Sequence, residues 1–254
     1  MTHEAPEPVS WDPVDPAGLT LAEVLSLLRA RCPWAAEHTH ESLAPFLLEE
    51  TYELLEAIEQ HSEDWDAQSL AELKKELGDV LYQVLFHAAV LDAPQPHSQP
   101  TGQAAQPVAF AEVEQLLKDK IVRRHPHVFE STAPWTLEEV EDMYEKTKAR
   151  ERQAAGTQAA KSSFDSLPRT MPALARAAAV VDRAQRMGWQ LQKPAGTSAD
   201  IPTGTSAEEE RIGRELLDLV TQARSRGVDP EKALRRATEA AEDATLSHNA
   251  HKRG

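Results

Sequence analysis

The chain has 254 residues, room for one or two domains, and 27 basic against 42 acidic side chains leave a net charge of −15. No concentrated basic stripe accompanies that acidity, which argues against a duplex nucleic-acid partner, whereas nucleotides stay open because a metal can supply local positive charge. No apolar run is long enough to span a bilayer and the single cysteine, Cys32, forms no internal disulfide, so the expectation is a cytoplasmic protein with no membrane partner.

Residues 1–18, rich in proline and acids, read as a flexible tail without the regions of a signal peptide. Punctuation by Pro, Gly, Ser and Gln then divides the chain into helices at about 20–31, 41–61, 69–91, 108–124, 136–154, 170–187, 207–226 and 230–245, with no convincing strand. Short helices with apolar stripes mean an all-α bundle. Cys32, close after the first helix, is expected as a small packed residue.

On the second helix, Leu43, Phe46, Leu47, Leu54, Ala57 and Ile58 fall in one sector at roughly 100° per residue. Glu50 and Glu53 fall inside that sector, while Glu49 lies just off it and points away from its centre. A carboxylate on a core face needs a partner. The third helix carries a main apolar face with Leu70, Leu73, Leu77, Leu81, Val84, Leu85 and Leu91, and a second sector with Tyr82, Phe86 and Val90. Glu76 borders the first face and Asp79 points toward the second.

Carboxylates three apart lie one turn apart on one side of a helix, so two such pairs on antiparallel neighbours converge into a ring of oxygens. Hard cations such as Mg²⁺, or Mn²⁺ as a substitute, suit that ring, and without one the clustered charges repel. Pairing with Lys74 or Lys75 accounts for any one of these acids as an ordinary surface charge. It does not account for four at this spacing. By spacing alone, Glu50, Glu53, Glu76 and Asp79 therefore read as a divalent-metal site on a helix pair.

Residues 92–107 and 192–206 read as loops that bury no core. Between them, Lys120, Arg123 and Arg124 place three cations within five residues. Such groups stabilise charge that develops when a phosphoanhydride breaks. A basic patch favoured by the helix dipole is the bland alternative for Arg123. A zinc pair at His125 and His127 is disfavoured, because no Cys or Asp cluster accompanies them and Pro126 suggests that the helix ends there.

Cys32-Pro33-Trp34, Thr39-His40, Ser42-Leu43-Ala44-Pro45, Glu49-Glu50-Thr51-Tyr52-Glu53, Glu76-Leu77-Gly78-Asp79 and Arg123-Arg124-His125-Pro126-His127-Val128-Phe129 occur in this order. Together they resemble the MazG family of nucleoside triphosphate pyrophosphohydrolases. The likeness runs from about Leu19 to Arg152. It implies an all-α bundle completed by dimerisation, and Mg²⁺-dependent cleavage of NTPs or dNTPs to the monophosphate and pyrophosphate. A nucleotide-pool house-cleaning role goes with it.

The resemblance also implies site roles. Lys120 and Arg124 match positions that contact the phosphates, and Arg123 lies between them. Tyr144 and Lys148 stand where the family commonly has a Trp and a Lys near the substrate. Trp34 either covers a nucleobase or fills a dimer core. Ala35 departs from the acid that usually follows Pro-Trp, which bears on base selectivity. Glu50, Glu53, Glu76 and Asp79 are the metal ligands, with Glu53 and Glu49 catalytic; whether Glu49 orients the water, acts as general base or holds a second metal stays open.

The resemblance further suggests a module over residues 19–154, a linker over 155–169, and a degenerate second module over 170–246 before a tail at 247–254. Leu167-Pro168-Arg169-Thr170-Met171-Pro172 and Arg186-Met187-Gly188-Trp189 look like the connector between two modules. Arg211-Ile212-Gly213-Arg214 stands where a second Glu-x-Gly-Asp belongs, and arginine cannot ligate Mg²⁺. An unrelated helical hairpin is the alternative there. Two other readings of the whole chain remain: a narrower dUTPase-like or phosphoribosyl-ATP-cleaving enzyme, and a catalytically silent helical scaffold.

Overall fold

A computed structural model describes residues 11–92, 104–131, 133–154, 164–192 and 205–252. Its regular structure is helical, with no strand among the described residues: α1 (Leu21–Arg31), α2 (Pro33–Glu37), α3 (His40–Asp64), α4 (Ala67–Asp92), α5 (Val108–Arg124), α6 (Pro126–Phe129), α7 (Leu137–Ala154), α8 (Ala173–Arg186), α9 (Thr205–Ser225) and α10 (Pro230–His251). Each helix expected from the sequence is present. Two short ones were not anticipated, α2 and α6, and both open on a proline, which lacks only an N–H that a first turn leaves unpaired anyway. Pro126 thus starts a helix just after α5 has ended.

The chain divides into two units, residues 1–151 and 152–254. In the first, Thr20 and Glu23 close a reciprocal capping box at the start of α1, and Thr39 with Ser42 does the same for α3. Trp65 ends α3 in the left-handed conformation at φ 48°, and only Asp66 separates it from α4, so α3 and α4 form an antiparallel hairpin. Asp66 accepts from Ser69 N–H at 2.7 Å and fixes the entry of α4.

The core joins Leu25 of α1, Ala35 of α2, Leu43 of α3 and Leu85, Phe86 and Ala89 of α4, with Cys32 and Phe110 packed against it. Arg29 is buried with them. Its Nη1 donates to the carbonyls of Ala35 at 2.7 Å and His38 at 3.1 Å, and its guanidinium lies 5.7 Å from the Phe86 ring centroid. Desolvation holds the Arg29 pKa below its ordinary value. Asp92, expected in a loop, is the last residue of α4 and accepts from Ala109 N–H at 3.0 Å. The rest of the expected loop, residues 93–103, lies outside the described residues.

α4 buries only part of the face its leucines suggested, Leu85 and Ala88, together with residues outside it. Ser69, Glu76, Gln83 and Phe86 are buried, whereas Leu70, Leu77, Leu81, Val84 and Leu91 are 39–63% exposed. The Tyr82/Phe86/Val90 sector faces the core, and of the leucine sector only the flank with Leu85 and Ala88 is buried. A helix apolar on two sides gives periodicity no means of choosing between them.

In the second unit, Val181 and Ala184 of α8 and Val220 of α9 are buried. Asp182 accepts from both Nε and Nη2 of Arg224 at 2.8 Å. Glu231 of α10 accepts from Ala175 N–H at 3.1 Å, capping the start of α8, where Pro172 offers no side-chain cap. α10 runs to His251, through residues expected as a tail. Of the loop expected at 192–206, residues 193–204 lie outside the described residues, as do 155–163 of the linker and 1–10 of the N-terminal tail.

Candidate metal centre

The hairpin sets the site. Counted from the Trp65–Asp66 turn, Glu50 lies about as far back along α3 as Asp79 lies forward along α4, so antiparallel packing puts them side by side. Glu50, Glu76 and Asp79 each offer a carboxylate oxygen, and these oxygens lie within 4.8 Å of one another. Glu76 is 3% exposed and the other two are half-buried.

Electrostatics at the centre are unfavourable without a cation. The Glu50 carboxyl is pushed above its ordinary range, first by burial and then by Asp79, Glu53, Glu76 and Glu49. Lys75 Nζ lies 2.6 Å from Glu76 Oε1, and that contact lifts the lysine well above its usual pKa. The buried Oε2 of Glu76 has no hydrogen-bond partner among the described residues. An all-oxygen donor set with one buried oxygen unpartnered fits a hard divalent cation.

Glu53 is exposed and outside the three-carboxylate group, although the wheel placed it on a buried stripe. The stripe itself is narrower than expected, since Phe46 and Ile58 are 38% and 44% exposed while Leu43 and Ala57 are buried. Glu49 is likewise exposed. Both still act on Glu50 through charge.

The cations gather around a different acid. Glu151 of α7 accepts from Arg123 Nε at 2.7 Å and from Arg124 Nη2 at 2.6 Å. Arg124 lies 5.6 Å from the Tyr144 ring centroid and donates from Nη1 to its hydroxyl at 3.4 Å. The Glu151 carboxyl falls to about 2 because Arg124, then Arg123, hydrogen-bond its charged form. Lys120 stands one turn before Arg124. The Lys148 side chain lies outside the described residues.

Trp34 is 55% exposed and lies edge-on to His38, with ring centroids 4.2 Å apart, beside Phe46 and Phe86. Sequence reasoning missed Arg29, which pins the backbone carrying Ala35 and His38, and it missed Glu151. Arg29 gave no signal beyond its place one turn before Cys-Pro-Trp. Glu151 was one of many charges on α7.

In the second unit, Arg211 pairs with Glu208 at 2.6 Å and with Glu215 at 2.5 Å, and Arg214 Nε donates to the Glu210 carbonyl. Both arginines are thereby occupied along their own helix. Among the described residues no metal-holding group gathers there.

A family model described as the MazG nucleotide pyrophosphohydrolase domain matches residues 38–129. A nucleoside triphosphate pyrophosphohydrolase/pyrophosphatase MazG of Thermotoga maritima is 32% identical over 238 residues, 87% of this chain and 82% of that protein. A nucleoside triphosphate pyrophosphohydrolase of Escherichia coli K12 is 32% identical over 235 residues, 87% of this chain and 81% of that protein. An uncharacterized 26.1 kDa protein of Streptomyces cacaoi is 35% identical over 93% of this chain and 84% of its own length.

Proposed function

The chain belongs to the MazG family, and on that premise we propose that it hydrolyses nucleoside triphosphates, ribo or deoxy, to the monophosphate and pyrophosphate with Mg²⁺ or Mn²⁺. The observation that carries this reading is the convergence of Glu50, Glu76 and Asp79 from two helices within 4.8 Å. Bound there, the cation would neutralise phosphate charge and acidify a water.

The chain's own groups divide the remaining work. Glu50, Glu76 and Asp79 would hold the cation, with Glu53, one turn from Glu50, as a further carboxylate for it. Glu49 and Glu53 orient the attacking water and take its proton. Lys120, Arg123 and Arg124 bind the phosphates and stabilise the charge that builds on the pyrophosphate as the α-phosphorus bond breaks. Tyr144, Lys148 and Trp34 border the nucleoside, with Tyr144 offering a stacking face.

Two copies of the chain complete the bundle. Leu70, Leu77, Val84 and Leu91 recur every seven residues on α4, and with Leu81 they form an exposed apolar seam suited to a second helix. The acidic, single-cysteine composition fits a cytoplasmic enzyme clearing the nucleotide pool. The test is a panel of common NTPs and dNTPs with Mg²⁺. Pyrophosphate and the monophosphate should appear together and vanish with EDTA, whereas orthophosphate and the diphosphate as primary products would overturn the reading.

A further inference from the structure

Arg123 and Arg124 are consecutive on α5, so their side chains leave the helix about 100° apart. Consecutive residues do not share a face, and two guanidinium groups repel when brought together. Yet both converge on one carboxylate. Glu151 Oε1 accepts from Arg123 Nε at 2.7 Å, and Oε2 accepts from Arg124 Nη2 at 2.6 Å and Nε at 3.1 Å.

The way Glu151 grips them matters. It holds both groups along their Nε edges, which leaves Arg123 Nη1 and Nη2 without a partner among the described residues. Arg124 Nη1 has only the 3.4 Å contact to Tyr144. Lys120 has no acidic partner among the described residues. Tyr144 and Glu151 are seven apart on α7 and so share a face, and the ring beneath Arg124 holds the guanidinium plane in place. Two arginines on one carboxylate keep a local charge of +1, with both Nη groups of Arg123 unspent and each Nη of Arg124 engaged through one of its two N–H bonds.

We propose that Glu151 is a positioning residue that turns Arg123 and Arg124 toward one place, so that their Nη ends, with Lys120, receive the polyphosphate of the nucleotide. The inference rests on the hydrolase reading, which supplies the polyphosphate. Terminal N–H pairs match phosphate oxygens in fork geometry, which a lysine in their place cannot reproduce. The depressed carboxyl of Glu151, at about 2, keeps the clasp ionised through any working pH.

The test uses inorganic tripolyphosphate in EDTA, so that neither turnover nor the acidic centre enters, with titration calorimetry as the readout. Glu151→Gln is expected to weaken tripolyphosphate binding about fivefold and to raise the nucleotide KM by a similar factor, with kcat changed less than about twofold. Glu151→Asp, which keeps the charge, should stay within about twofold of the parent. Arg123→Lys keeps a cation for Glu151 but removes the Nη ends. It should bind tripolyphosphate more weakly with helix content intact by circular dichroism.

Unchanged or tighter binding in Glu151→Gln overturns the inference, as does parental binding in Arg123→Lys. So does a loss of kcat and helix content at constant KM, the sign of a merely structural tie. A parent protein that does not bind tripolyphosphate overturns it too. A parent that binds tripolyphosphate but releases no pyrophosphate from any nucleotide overturns the hydrolase reading alone and leaves Glu151 in its place.

Discussion

Lys75 Nζ stands 2.6 Å from Oε1 of Glu76, an exposed cation on a carboxylate that is otherwise buried beside two more acids. The lysine partly neutralises the carboxylate as a divalent cation would if bound there. Lys75→Met should therefore lower the melting temperature in EDTA by about 2 °C, and saturating Mg²⁺ should erase most of that deficit. A deficit that persists unchanged in Mg²⁺ would show that Lys75 supports the helix and not the centre.

Glu50 and Glu53 should separate in their effects, because only Glu50 belongs to the converged group. Glu50→Gln removes a charge that the fold already resists, so the metal-free variant should melt no lower than the parent while its Mg²⁺-induced rise is lost. Glu53→Gln should keep the fold and part of the Mg²⁺ rise, yet lose turnover by at least about a hundredfold. Parental pyrophosphate release in Glu53→Gln would remove it from the site.

The leucine seam of α4 makes the protein a dimer if a second copy covers it. Light scattering at micromolar concentration should return twice the chain mass of 28.1 kDa. Placing a charge at 52%-exposed Leu77, as Leu77→Lys, should shift the mass to that of one chain. A monomeric parent would count against the dimer.

Arg29 should matter far more than an arginine outside any ion pair normally does. Arg29→Lys cannot span the carbonyls of Ala35 and His38 together, and losing charge-assisted hydrogen bonds in a buried setting costs about 2–3 kcal/mol. Chemical denaturation measures it. A loss under about 0.5 kcal/mol would mean that the α1–α2 corner holds without the guanidinium.

Glu151 gives the pH dependence a defined sign. Its folded-state pKa of about 2 lies below the 4.5 of the free side chain, so its contribution to stability is full above about 4.5 and is lost as pH falls toward 2. The gap in melting temperature between parent and Glu151→Gln should be widest near pH 6 and shrink as pH falls to 3. A gap independent of pH would mean the carboxylate charge is not what holds α7 to α5.

Local sequence determined most of the helical framework. Thr20 with Glu23 and Thr39 with Ser42 wrote two helix starts, and a proline or glycine marked most of the breaks, because caps and breakers act within a turn of chain. The spacing of Glu50, Glu76 and Asp79 was legible for the same reason, since a short antiparallel hairpin turns positions along the chain into positions in space. The family signatures added the expectation of a nucleoside triphosphate pyrophosphohydrolase.

Tertiary structure decided the rest. Which apolar sector of α4 meets the core, and therefore that Glu76 is buried and the leucine seam is not, depends on where α1 and α2 dock, and both sectors read alike on a wheel. Glu53 fell outside the converged group because the buried stripe of α3 is narrower than its leucines imply. Arg29 and Glu151 were invisible for a shared reason: their partners are backbone carbonyls of a tight corner and side chains 27 residues distant, and neither kind of contact leaves a period or a motif in the chain.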